Sequence, residues 1–285
     1  MVLLLLMGAS RWVLAGARPE AESTVGSQAA GCAWAALACA ALSLRPRTAA
    51  KVGVRGIWVG VLLAGLGGGL MLCGPAAWEL LRVSGMEPSA LMMALALTPV
   101  VVALAGRMEP VAGRIWPGLA AVAGLMLVLA QPSLADLRSD VALFLAPVLT
   151  GCGAVMLCSR STQTGCAQTA WRAASALAGG ALVFALCWSM AWRAGVETLP
   201  SLSATACDGV LALLSLLVLV RLGALRWSAQ FALLPLLVLL QGIWILRPPL
   251  TLRWVVGLLL IAAASIYLLL PHAEEPETGP AVVPR

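Results

Sequence analysis

Apolar residues run along this chain in long blocks that show neither the strict alternation of a half-buried strand nor a polar face every helical turn. Charged or proline-rich breaks divide it into segments of about 1–16, 27–44, 56–81, 88–106, 114–131, 141–159, 165–192, 204–222, 226–246 and 251–270. Most reach the roughly 17–25 residues that a helix needs to cross a ~30 Å hydrocarbon layer at 1.5 Å per residue. They are apolar on all sides, and a helix satisfies its backbone groups inside its own segment, as lipid demands. The ~10-residue alternating segments of a membrane barrel are absent. The pattern predicts an all-α polytopic membrane protein with ten transmembrane helices.

The first segment is short and carries Arg11. Ala15-Gly16-Ala17 resembles a signal-peptidase site, yet no positive charge precedes the apolar run Val2–Met7. A retained first helix is expected.

Composition narrows the class. Of 285 residues 61% are apolar, the 28 glycines add about a tenth more, and 11% are charged. Soluble domains run at roughly 45–50% apolar with glycine included, and about 25% charged. A compact soluble fold, disorder, collagen and coiled coil are all excluded. The net charge of +6 comes almost wholly from dispersed arginines, with Lys51 the single lysine. No basic run exists to bind nucleic acid. The eight cysteines form no CxxC pair, and the single histidine, His272, lies in the polar tail. No metal site is expected, and the cysteines read as small buried residues. Without a nucleophile–base set, recurring paired carboxylates or a nucleotide-binding motif, neither an enzyme nor a bound cofactor is expected.

Basic residues set the expected orientation. With the N-terminus inside, the inner loops hold nine (Arg45, Arg47, Lys51, Arg55, Arg107, Arg114, Arg160, Arg221, Arg226) and the outer loops six (Arg18, Arg82, Arg138, Arg193, Arg247, Arg253). The positive-inside rule then places both termini in the cytoplasm. Trp58, Trp116 and Trp227 fall at predicted inner ends; Trp78, Trp188, Trp192, Trp244 and Trp254 fall near outer ends. That distribution reads as an aromatic belt.

An internal repeat is visible. Leu97–Gly106 matches Leu233–Gly242 at an offset of 136, and Arg114…Gly118 faces Arg253…Gly257 at 139. Five segments precede the boundary, so the second copy enters the membrane in the opposite sense. Residues 1–135 and 136–270 are expected to form two inverted five-helix repeats, an architecture of secondary transporters. Residues 271–285, acidic and proline-rich, read as a disordered cytoplasmic tail.

With these residues in view, the chain resembles the drug/metabolite transporter superfamily, and within it the ten-helix EamA type. The resemblance rests on Ser89-Ala90-Leu91, Leu97-Thr98-Pro99, Arg107-Met108-Glu109, Gly118 and Gly124, and in the second copy on Leu225–Ala229, Pro235, Gly242 and Gly257. Gly8-Ala9-Ser10-Arg11-Trp12 is similar to the family's entry segment. The second copy departs at the loop glutamate, where Arg247-Pro248-Pro249 stands. The resemblance implies a secondary transporter, exporters included, of small organic metabolites or amphipathic compounds in the cell inner membrane. It implies alternating access between two halves, and a cavity lined by the first, third, fourth, sixth, eighth and ninth helices. A small-molecule substrate and the lipid bilayer are the expected partners, with a second copy of the chain, as a homodimer, a further candidate. The competing reading is a non-transporting membrane scaffold or orphan partner subunit.

Candidate site residues follow from what lipid penalises. Pro75, Pro99, Pro147 and Pro235 read as mid-helix prolines, which free the carbonyls of Met71, Leu95, Leu143 and Phe231. Such kinks are either tolerated packing or the wall of a substrate path. Pro99 and Pro235 occupy matching repeat positions. Asp208 and Glu79 are the candidate coupling carboxylates. Glu79 reads alternatively as an i,i+3 partner of Arg82, and Asp208 as reaching outward to the interface. Arg172 is expected to reach the inner interface, and Arg11 to face either cavity or lipid. Gln230 and Gln241 share a helix face with Trp227, Leu234 and Trp244, which turns that face into protein, either as a polar contact between helices or as cavity lining. Trp12, Trp78, Met93 and Thr98 complete the cavity candidates. Gly65…Gly69 lets another helix approach closely, as intramolecular packing or as a gating surface.

Overall fold

The computed structural model describes residues 1, 5–6, 24–43, 54–83, 91, 94–106, 111–128, 141–158, 166–195, 200–246 and 251–270. Every regular element among them is an α-helix: α1 (Thr24–Ser43), α2 (Val54–Val83), α3 (Thr98–Ala105), α4 (Val111–Val128), α5 (Val141–Cys158), α6 (Cys166–Arg193), α7 (Leu202–Ser228), α8 (Gln230–Leu246) and α9 (Leu252–Leu269). These cover the second to tenth predicted segments. Most of the first segment and the tail after residue 270 lie outside the described residues.

Among the described residues, five helices are long and apolar enough to cross a bilayer: Val25–Ser43, Trp58–Leu80, Ala170–Arg193, Leu202–Ser228 and Leu252–Leu269. Shorter apolar stretches, Ile115–Val128 and Leu145–Cys158, accompany them. Trp34, Leu62 and Trp116 are 67–70% exposed on helix faces that water would penalise. The chain is a helical membrane protein.

Glycines let the helices meet backbone to backbone. α6 lies against both α1 and α2; α1 also packs on α7, α2 on α5, and α4 on α9. A Cβ at Gly68 would strike the backbone of Ala176, and one at Gly179 the carbonyl of Gly65. The Gly65…Gly69 stretch therefore packs inside the chain, at the α2–α6 crossing. At α4–α9 the relation is reciprocal. A Cβ at Gly124 would lie 2.7 Å from the Gly257 carbonyl, and one at Gly257 2.7 Å from the Gly124 carbonyl.

Two helix breaks frame the interior. α7 bends at Gly223, whose φ of 81° and ψ of 167° suit glycine alone. The bend falls in the predicted gap between the eighth and ninth segments. The second break corrects an expectation. Pro99 is not a mid-helix kink: Ala96 and Leu97 form a turn, and α3 starts at Thr98 with Pro99 in its first turn. Proline is accepted there because the missing N–H has no intrahelical partner to lose. The Thr98 hydroxyl donates to the Leu95 carbonyl at 2.6 Å, covering an acceptor that lipid would leave bare. Pro75, Pro147 and Pro235 do sit inside helices.

Candidate functional site

A cavity of about 180 Å³ lies between α1, α2, α7 and α8, with Leu5, Leu95 and Phe184 of α6 completing its wall. α2 brings Leu72, Pro75, Trp78 and Glu79 to it. α7 brings Asp208, Leu211, Ala212 and Ser215, and α8 brings Gln230, Phe231, Leu234 and Pro235. Residues 208 and 215 are two helical turns apart, about 10 Å along the axis. The cavity thus has two ends of different chemistry.

One end is polar. Glu79 and Asp208 are both buried, on different helices. Neighbouring residues of α1 reach them. Gln28 Nε2 donates to Glu79 Oε1 at 3.1 Å, and the Ser27 hydroxyl donates to Asp208 Oδ2 at 2.6 Å. α1 can deliver both because its own backbone touches α7: a Cβ at Gly31 would lie 2.7 Å from the Thr205 carbonyl.

The other end is aromatic. Trp227 is buried; its indole N–H donates to the Ser215 hydroxyl at 3.0 Å. Its ring meets Phe231 edge to face, with centroids 5.3 Å apart. The Gly223 bend carries Trp227 back over α7, so the indole closes this end.

A second, smaller cavity of about 60 Å³ lies between α2, α5, α6 and α7 and contains Arg172. Its half-buried side chain packs beside Gly60, near the start of α2, where a Cβ would lie 3.4 Å from the guanidinium.

The structure gathers Trp78, Glu79, Asp208, Gln230 and Pro235 around one cavity, together with Leu95 and Phe231, whose carbonyls the prolines singled out. Thr98 and Pro99 are fully buried but do not line it. Arg11, Trp12 and Met93 lie outside the described residues, as do the side chains of Arg82 and Gln241. Trp227 corrects the belt assignment: it is a core residue on the cavity wall. The polar stripe it shares with Gln230 and Leu234 was the better guide. Ser27 and Gln28 were not singled out, because uncharged polar residues near a helix start carry no signal of a distant carboxylate.

No family model and no curated protein matches the sequence. A solved structure described only as "Crystal structure of protein" superposes on it with a TM-score of 0.63. The match covers 94% of this chain and 95% of that one at 16% sequence identity. The two are similar in fold, over nearly their whole lengths.

Proposed function

We propose that this chain is a secondary transporter of small organic molecules, of the ten-helix EamA type, and that the cavity between α1, α2, α7 and α8 is its substrate site. The observation that carries the reading is the cavity itself. It contains two buried carboxylates and the amides of Gln28 and Gln230, groups that a membrane interior tolerates chiefly at functional or water-filled places.

The helix contacts support two inverted halves. Under that reading α1 corresponds to α6, α2 to α7 and α4 to α9. Exchanging the halves maps the α1–α6 and α4–α9 contacts onto themselves, and turns the α2–α6 contact into the α7–α1 contact, which is also present. The reciprocal Gly124–Gly257 packing is what a two-fold axis in the membrane plane produces. The cavity then draws α1 and α2 from one half and α7 and α8 from the other.

In the inner membrane, with both termini cytoplasmic, the ends of the helices carrying Gln28, Glu79 and Asp208 face outward. The Trp227–Ser215 pair and the Gly68–Ala176 crossing close the path inward. Rocking of the halves about these glycine crossings would open the Arg172 side. An untargeted metabolite comparison of deletion and overexpression strains identifies the substrate. That compound then undergoes counterflow in proteoliposomes containing the purified chain. A chain that supports no counterflow of any compound whose level it changes is not a transporter.

A further inference from the structure

We infer that Cys73 of α2 and Cys187 of α6 are a dithiol that closes into a disulfide under oxidation and so ties the two halves of the chain together. Closure of the bond stands on the α2–α6 crossing alone; its effect on carriage rests on the transporter reading.

The register of the crossing brings the two residues together. The Ser175 hydroxyl donates to the Val61 carbonyl. One turn on, a Cβ at Gly65 would lie 2.9 Å from Ser175 Oγ, and one at Gly179 would strike the Gly65 carbonyl. Another turn on, a Cβ at Gly69 would lie 3.3 Å from the Gly179 carbonyl and 3.5 Å from Val183 Cγ2. Each four-residue step along α2 thus advances four residues along α6, so the two helices run in the same direction with one face of each in contact. The next step places Cys73 beside Val183 and Cys187. The two thiols are near enough to interact electrostatically. Depth agrees. Cys73 stands seven residues before Leu80, where the α2 span ends, and Cys187 six residues before Arg193, where the α6 span ends. Both are therefore about 10 Å from the same end of the bundle.

Both residues are free thiols and half-buried. The Cys73 thiol donates to the Gly69 carbonyl at 3.3 Å, one turn back on the face that meets α6. A disulfide needs Cα atoms about 4.4–6.8 Å apart. Helices held apart by side chains keep their axes about 8–10 Å from each other. The contacts at Gly65, Gly69 and Gly179 bring these two backbones closer, which puts the following turn within reach of a bond.

Closure needs an oxidant, here a small disulfide RS–SR. One cysteine sulfur attacks it, forms a mixed disulfide and releases RSH. The second cysteine attacks the mixed disulfide at the first cysteine's sulfur and releases the second RSH. The chain gives up two electrons and two protons, and the oxidant leaves as two thiols.

The bond would form just behind the main cavity. Leu72, next to Cys73, and Phe184, three residues before Cys187, both line it. With α2 in one half and α6 in the other, the bond holds that wall fixed and arrests rocking.

The full chain in proteoliposomes, with a protease site inserted between residues 129 and 140, tests this with 4,4′-dithiodipyridine as the oxidant. After oxidation, blocking of remaining thiols and cutting, the parent should migrate as one band, and as two after dithiothreitol. Cys73→Ala and Cys187→Ala should each give two bands without reductant, at parental unfolding midpoints. Cys73→Ser and Cys187→Ser repeat the test should either alanine variant unfold. Two bands from the oxidised parent overturn the inference. So does a single band from any of these variants, because another cysteine would then form the bond. Counterflow of a compound that the untreated parent carries should fall severalfold on oxidation, recover with dithiothreitol, and be indifferent to the oxidant in the variants. A bond that forms and leaves counterflow unchanged overturns the lock. A parent that carries nothing before treatment fails as a transporter, and the bands then decide the disulfide on their own.

Discussion

Ser27 and Gln28, neighbours on α1, grip carboxylates on two different helices, Asp208 of α7 and Glu79 of α2. A single turn of one helix thereby fixes the separation of two buried acids. The Ser27 contact is a buried side-chain hydrogen bond, a type worth about 0.5–1.5 kcal/mol. Ser27→Ala should lower the unfolding midpoint in detergent by an amount matching that loss, and Ser27→Thr should recover most of it. An unchanged midpoint in Ser27→Ala would show that the contact contributes nothing.

Coupling is a separate matter from binding. Asp208 is the first candidate to carry a proton during transport and Glu79 the second, because both are buried on the cavity wall. Asp208→Asn should remove the dependence of uptake on an imposed pH gradient in proteoliposomes and leave counterflow intact. Gradient dependence that survives in both Asp208→Asn and Glu79→Gln would make the chain a carrier without proton coupling at these sites.

Much of this arrangement was legible in the sequence, for identifiable reasons. Helix ends were readable because lipid tolerates polar residues chiefly at boundaries: Ser201 and Thr251 cap α7 and α9 through their side-chain oxygens. The α7 bend was readable because Gly223 sits between Arg221 and Arg226. The face of Trp227, Gln230 and Leu234 was readable because two amides cannot face hydrocarbon cheaply. Pro99 was misread, since a proline at a helix start and one in a helix middle look alike when the preceding residues are equally apolar. Trp227 was misread because tryptophan beside an arginine resembles a belt residue, and only the Gly223 bend turns it inward. The roles of Ser27 and Gln28 depended on partners in distant segments, which periodicity does not encode.

The two repeat prolines should now behave differently. Pro99 lies in the first turn of α3 and withholds no intrahelical bond. Pro99→Ala should leave both thermal stability and transport near the parent level. Pro235 lies inside α8, so Pro235→Ala restores a donor to the Phe231 carbonyl and straightens a cavity wall. Transport should fall severalfold with expression unchanged. Thr98→Val, which strips the Leu95 carbonyl of its hydroxyl partner, should cost about 1–3 kcal/mol, read as a lowered unfolding midpoint. Equal effects of the two proline substitutions on transport would contradict this distinction.

The claim that the cavity belongs to an alternating-access path is tested most directly by two-sided thiol labelling. Ala212 is half-buried and lines the cavity. In a background without other cysteines, Ala212→Cys should react with a small membrane-impermeant reagent applied from outside in right-side-out vesicles. It should also react, more slowly, from the cytoplasmic face in inverted vesicles. Leu62→Cys, on a lipid-facing position, should stay unlabelled in both. Labelling of residue 212 from one face only, or from neither while a loop cysteine reacts, would contradict the account.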